Sequence, residues 1–518
     1  MLQNRESVFK HKKKSTPWHF YRSITPNLTV QYVDIPSIYL RKFTPDGSKL
    51  IGFSHDQHSL LVYNYKGIAA AGEVLSESGV GNKEWISNDM LRKKLFDQLF
   101  HIKFVLNICQ DNFARYHLHR EFSVFLENGR YVLIAAMLPY AAHALPPSDY
   151  LRYPDIYDRV VPYTYLFSVV DLKLGIISDQ VILPHDAITM SHNHGVSVYG
   201  NTIAILSRLY QCVHIFELVN GVLVRQEQIG PRPRGHMSNI DEDIGPINVN
   251  SKLAITHIKQ RVLSFLYKQF ECDDMMTREQ KCVNYQKFYK NFSFIEFMVM
   301  EKMQLIDNEF MLLRYEERPG VNDIMESMTP RRLFVFYSIS SENVVGVYQE
   351  ESAKFLNIVL KYNDTFCNVR SFQTGAGPLS STNQIVRKTI QSLAKSPALL
   401  HEAVIRFNQS VPISSQSFTT TPYLNCNLFC YDEKAVSPME RPKICSTSPI
   451  QFLDKASGLI AFRLNSQARM PVDLSAPREL CAFIFHPYEP LVISIQKCMH
   501  RYTFNVHIYN QSTIVKQY

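Results

Sequence analysis

The stretch from Tyr39 to Tyr65 restricts what this chain can fold into more than any other. Phe43 precedes Pro45-Asp46-Gly47, and Leu50, Ile51 and Phe53 follow it. Proline presets φ and glycine admits φ > 0, so the chain reverses there. Leu60 to Tyr65 then alternates apolar residues as a half-buried strand does. Strand, Pro-Asp-Gly turn, strand, short polar turn and strand is how one blade of a β-propeller passes into the next. A weaker copy, Phe483-Ile-Phe-His-Pro-Tyr-Glu-Pro-Leu-Val-Ile-Ser494, lies near the other end, where Tyr502 to Asn510 takes the part of Leu60 to Asn64. A short-strand module cannot bury its own apolar face and must stack on neighbours. Copies at both ends predict a ring closed by its termini.

The chain between them adds more modules. Glu127-Asn-Gly-Arg130 predicts a hairpin turn between Phe122–Leu126 and Tyr131–Ile134. Strands are expected at Tyr165–Asp171, Ile176–Leu183, Gly195–Val198, Thr202–Ser207 and Cys212–Val219. Leu91, Leu95, Leu99 and Ile102 have near-helical spacing. From Ser251 to Met303 the period changes from 2 to 3.6, predicting two amphipathic helices, the first with Ile255, Ile258, Val262, Leu263, Leu266 and Phe270, the second with Val283, Phe288, Phe292, Ile295 and Phe297. Strands resume at Met303–Arg314, Leu333–Ile339 and Val344–Tyr348, Ser352–Tyr362 reads as a short helix, and short strands return from Pro412. The expected fold is mainly β, a β-propeller of about seven blades over 27–518, with helical insertions at 248–304 and 381–408. Residues 1–26 form a basic tail and an aromatic docking segment.

Formal charge is +8 from 55 basic and 47 acidic residues, a mild excess rather than the dense stripe of a dedicated nucleic-acid binder. Lys10-His-Lys-Lys-Lys14 is the one concentrated basic run, read as an import signal or a solvated terminus. Ten cysteines have no CxxC pair, which fits reduced thiols in the cytosol or nucleus. The first residues lack an apolar h-region and no run reaches the ~18 apolar residues of a membrane span. No membrane association is expected.

Catalytic signatures are absent: there is no GxxxxGK[ST], GxGxxG or GxSxG. His192-Asn193-His194 is read as strand, whose adjacent side chains diverge and do not share an ion. His117 and His119 with Cys109, and Cys426 with Cys430, each lack further ligands. No catalytic, cofactor or metal residues are therefore assigned. Aromatic side chains dominate interface energies, so the candidate partner-binding residues are Trp18, Phe20 and Tyr21 before the first strand and Phe288 and Phe292 on the second inserted helix.

Four groups of residues carry a resemblance. Tyr39-Leu-Arg-Lys-Phe-Thr-Pro-Asp-Gly47 with Gly52-Phe-Ser-His-Asp-Gln57, Pro412-Ile-Ser-Ser-Gln-Ser-Phe418 with Pro422-Tyr-Leu424, Leu428-Phe-Cys-Tyr-Asp-Glu-Lys434 with Met439-Glu-Arg-Pro-Lys443, and Phe485-His-Pro-Tyr-Glu-Pro490 together resemble the De-etiolated 1 family, from Trp18 to about His507. The resemblance implies a non-enzymatic nuclear adaptor of a cullin-4 ubiquitin ligase. Its implied partners are damaged-DNA-binding protein 1, a constitutive-photomorphogenic RING ligase and a ubiquitin-conjugating enzyme. The alternative is a ring that binds chromatin and acts in transcriptional repression, a basic histone tail held by acidic side chains.

Overall fold

The computed structural model describes residues 26–77, 85–86, 88–109, 115–139, 162–230, 258–270, 277–292, 294–295, 298–317, 331–366, 396–409, 411–416, 429–431, 443–444, 450–454, 460–464, 480–489, 491–498 and 501–509. After β1 (Pro26–Val30) come β2 (Ile38–Phe43), β3 (Lys49–Ser54) and β4 (Ser59–Tyr65). The first turn of this module is tied by its own polar groups: the Gly47 N–H donates to the Thr44 carbonyl at 2.8 Å and the Ser48 N–H to the Asp46 carboxylate at 3.1 Å. Helix α1 (Gly72–Glu77), β5 (Trp85–Ile86) and helix α2 (Asp89–Leu99) follow, and Asn88 caps α2 by accepting from the Met90 N–H. β6 (Phe100–Asn107) completes a first antiparallel sheet ordered β2-β3-β4-β6.

The second sheet runs β11-β10-β9-β7, from β7 (His117–Leu118), β9 (Tyr131–Pro139), β10 (Tyr163–Asp171) and β11 (Ile176–Asp186), with β8 (Val124–Leu126) also paired to β9. The β8–β9 turn has Asn128 at φ +54° and Gly129 at φ +90°, as an Asn-Gly hairpin requires. The third sheet is a meander of β12 (Val196–Tyr199), β13 (Thr202–Ser207), β14 (Cys212–Val219) and β15 (Val222–Ile229). Helices α3 (Ile258–Phe270) and α4 (Arg278–Phe292) precede the fourth, made of β16 (Met298–Leu305), β17 (Phe310–Glu317), β18 (Arg332–Ser338) and β19 (Asn343–Gln349). The strand thus resumes at Met298, earlier than the sequence reading, because Met298, Met300, Met303 and Leu305 all enter the core.

Helices α5 (Ala353–Lys361), α6 (Asn363–Phe366) and α7 (Pro397–Asn408) come next. Ser352 caps α5 through the Phe355 N–H. The first part of the expected second insertion, 381–395, lies outside the described residues, as do Ile255 and Phe297. β20 (Phe429–Tyr431), β22 (Ile450–Asp454) and β23 (Ile460–Leu464) form a three-stranded sheet, with β21 (Lys443–Ile444) between them in sequence. β24 (Leu480–Phe485), β25 (Leu491–Cys498) and β26 (Arg501–Tyr509) make the last sheet, ordered β21-β24-β25-β26-β1-β5. Its β1 comes from the opposite end of the chain and lies antiparallel to β26, Val30 facing Val506.

The protein is therefore mainly β, built from meandering antiparallel sheets whose apolar residues pack between successive sheets. β4 shows why. Leu60 and Val62 enter a core shared with Val132, Ile134 and Leu166 of the second sheet, while Leu61 and Tyr63 enter one shared with Ile493 and Val506 of the last. The strand is buried on both faces, not half-buried as its alternation suggested, because the first sheet is covered by the second on one side and by the last on the other. Equivalent cores join the second sheet to the third through Phe167, Val169, Ile203 and Ile205, and the third to the fourth through Leu206, Val213, Leu313 and Val335.

Candidate partner-binding surface

α3 is amphipathic, and Ile258, Val262 and Leu266, spaced at four, lie buried in the core of the fourth sheet. Arg261 anchors the same helix, with its guanidinium 2.9 Å from the Glu342 carboxylate and 2.6 Å from the Tyr337 hydroxyl. A cleft of about 750 Å³ opens beside it, between Gln260, Phe265 and Lys268 on the helix and Ser341 to Val344 on the β18–β19 turn. α4 packs on α3 through rings. Tyr267 and Tyr285 stack at 5.4 Å, and Phe288 meets Tyr267, Phe270 and Phe292 at 5.8, 5.7 and 5.5 Å.

Of the five residues singled out from the sequence, two are described. Phe288 is 6% exposed and Phe292 partly buried, both in the joint between α4 and α3. Trp18, Phe20 and Tyr21 lie outside the described residues. Val283, expected with Phe288 on the apolar side, is instead 48% exposed and faces outward with Lys287 and Lys290, while Tyr289, 66% exposed, lies at the flank with its ring against Phe288. Val283, Lys287 and Lys290 recur at helical spacing, a signal the search for aromatic anchors passed over.

A second set of polar residues, which the sequence did not mark as functional, joins edge strands of four sheets. Residues 411–416 reach four sheets. The Gln416 amide accepts from Phe125 N–H at 2.9 Å and donates to the Phe125 carbonyl on β8, and its oxygen also accepts from Lys42 Nζ on β2 at 3.2 Å. The Ser415 hydroxyl accepts from Val198 N–H on β12 at 2.7 Å, and Ile413 N–H donates to the Gln304 side chain on β16 at 2.7 Å. Asn193 joins in, its amide nitrogen donating to the carbonyls of Ser123 and Ser415 at 3.1 and 3.3 Å.

Asn193 belongs to a single-turn helical segment, Ser191–Asn193, with φ +54° at His192, so His192-Asn193-His194 is a turn and not the strand expected. The turn places His192 3.5 Å from Glu121 and buries Asn193 among backbone groups that need partners. His119 is half-buried, and loss of solvent pushes its pKa down to about 4, while burial pushes the Cys109 thiol up to about 11. Cys430 lies in β20 and Cys426 outside the described residues. Among the described residues no three or more His, Cys, Asp or Glu side chains converge as metal ligands.

A third polar joint links the first and last sheets and brings together the two copies of the module. His486 Nδ1 accepts from the Tyr488 and Glu489 N–H groups at 3.1 and 2.7 Å, so the proton sits on Nε2, which donates to the Gly47 carbonyl at 3.0 Å. Glu489 in turn accepts from the Tyr65 hydroxyl at 2.7 Å.

The sequence model of the family described as "De-etiolated protein 1 Det1" matches residues 120–510. The chain is 24% identical to the light-mediated development protein DET1 of Arabidopsis thaliana, over 93% of this chain and 92% of that one. To the protein of the same name from Solanum lycopersicum it is 22% identical, over 93% and 92%. A solved chain from the S. cerevisiae assembly of dbp5 with nup159 and gle1 covers 94% of this chain and 95% of its own, at 9% identity and a TM-score of 0.25, too slight a likeness to carry an argument.

Proposed function

The chain belongs to the De-etiolated protein 1 family, and from that premise we propose that it is a non-enzymatic adaptor of a cullin-4 ubiquitin ligase. In this reading it works in the nucleus, bridging damaged-DNA-binding protein 1, a constitutive-photomorphogenic RING ligase and a ubiquitin-conjugating enzyme, so that nuclear regulators are ubiquitinated and degraded. The stacked sheets are read as the blades of a β-propeller of about seven, with β1 added to the last blade as the closing strand. The helical insertions and the aromatic segment with Trp18, Phe20 and Tyr21 are read as its partner contacts.

The observation that carries the reading is the family match over 120–510, which takes in both the inserted helix pair and the 411–416 segment tying four sheets together. A rigid body with an exposed helical projection is suited to holding partners at fixed separation. The test is copurification of the tagged full chain followed by mass spectrometry. Stoichiometric recovery of damaged-DNA-binding protein 1 and the cullin supports the adaptor. Recovery of nucleosomes without them overturns it in favour of the histone-binding alternative.

A further inference from the structure

α4 stands one layer out from the sheets. Phe288 is its one buried residue among those described, and the helix is held through its rings against α3. Its composition does not resemble that of a helix made only to cover a core. Arg278, Lys281, Lys287 and Lys290 face a single acid, Glu279, and α3 adds Lys259, Arg261 and Lys268 with none. Glu271, Asp273 and Asp274 lie between the two helices in sequence, so residues 258–292 hold seven basic residues against four acidic, and the unbalanced charge is that of α4 itself, four basic against one acidic. Arg261 is already committed to Glu342. The cations of α4 take part in none of the ion pairs among the described residues.

The outward stripe mixes charge with apolar surface. Val283, Lys287 and Lys290 lie at i, i+4 and i+7, and Tyr289, 66% exposed, flanks this stripe about 120° round the helix from Val283, its ring against that of Phe288. A phosphate backbone is met by closely spaced cations and makes no use of an exposed valine. An acidic amphipathic segment uses both, its carboxylates facing the lysines and its apolar side chains covering Val283 and Tyr289.

We propose that the outward face of α4 is a docking site for an acidic, amphipathic segment of a partner protein, held by Lys287 and Lys290 and seated on Val283 and Tyr289. This rests on the adaptor reading and names the chemistry of one contact it needs. A helix projecting from a rigid body offers such a segment a preformed groove side, so little ordering cost falls on this chain. Attraction between exposed charges is screened by salt, and the apolar seat supplies what survives screening.

The experiment uses the full-length protein and a fluorescein-labelled peptide of about twenty residues in which Glu and Leu alternate at helical spacing, followed by anisotropy. A poly-Glu peptide and a duplex DNA of about twenty base pairs serve as comparison probes. Binding of the amphipathic peptide is expected to weaken at least tenfold in Lys287→Glu with Lys290→Glu, and severalfold in Tyr289→Ser. The Tyr289→Ser change is expected to leave poly-Glu binding within twofold. Unchanged peptide affinity in the charge-reversed protein, or tighter binding of DNA than of peptide, overturns the proposal. Should charge reversal lower the melting temperature, Lys287→Gln with Lys290→Gln replaces it under the same criteria. The adaptor reading fails separately, by absence of cullin components from the wild-type copurification. Recovery of those components with unchanged peptide binding in the variants overturns the docking site alone.

Discussion

At Gly47 two demands coincide in one residue. Its φ of +72° is a region that L side chains rarely adopt, and a Cβ built there falls 2.7 Å from both Cε1 and Nε2 of His486. Gly47→Val is expected to destabilise the protein by about 2–3 kcal/mol, since a β-branched side chain meets the conformational strain and the clash together. Equilibrium urea denaturation measures it, and an unchanged midpoint removes this account of the turn. His486 is neutral by construction, because its Nδ1 must accept two N–H groups, and burial lowers its pKa. His507 is buried more deeply, between Thr29 at 3.0 Å and Ser494 at 2.9 Å, and its pKa is pushed down to about 4, as is that of His119. In each case the unfolded chain takes the proton first, so stability is complete above about pH 6.5 and falls on the acid side of it, for His507 and His119 as the pH drops toward 4. For His507 the full loss is about 3 kcal/mol. Melting curves between pH 7.5 and 4.5 should show the fall on the acid side of 6.5. A melting temperature flat across that range would contradict the burial of these rings.

Among the elements, the turns were legible because their chemistry is local. Pro45-Asp46-Gly47 and Asn128-Gly129 force φ at named residues, and both reverse the chain as expected. α3 was legible from its period, and α5 from its stretch of apolar residues. The His192 turn was not, since a histidine at φ +54° announces nothing in sequence, and its reason is Asn193, whose partners lie in other elements. The 411–416 segment was noticed as a family motif while its work went unread, because Gln416 bonds to Phe125, 291 positions away. Its α4 counterpart is similar: the sequence marked Phe288 and Phe292, yet which side of a helix meets its neighbour is settled by tertiary packing. Gln416→Ala tests the segment. It deprives the Phe125 N–H and carbonyl and the Lys42 ammonium of one partner each, an expected cost of about 1–3 kcal/mol. Thermal denaturation should show it, whereas the same change at exposed Gln286 on α4 should fall within about 0.5 kcal/mol. Equal effects at the two sites would mean that the segment does not join the sheets energetically.

For the whole molecule the consequential contact is the pairing of β1 with β26, because it joins the two ends of the described chain within one sheet. Repeated sheets that bury apolar residues only against neighbours need every neighbour present, and an opened array exposes two faces at once. β1 gives Val30, fully buried, to the core that also holds Leu40, Phe43, Ile493 and Val506, so it acts on both the first sheet and the last. It also covers the edge of β26, whose backbone groups would otherwise be open to pairing with another chain. Two variants separate these effects. Val30→Asp keeps the strand's backbone and places a carboxylate in an apolar core, which is expected to lower stability by about 3 kcal/mol or more. Removal of residues 1–30 takes away the strand as well, and is expected to give concentration-dependent aggregation from the exposed edge. Limited proteolysis should then cut the truncated protein first within 480–509, while the sheets formed by residues 117–229 stay protected. A truncated protein that melts like the full chain, with cleavage spread evenly over the sheets, would show that the two ends stabilise their own halves and that the molecule does not depend on its closure.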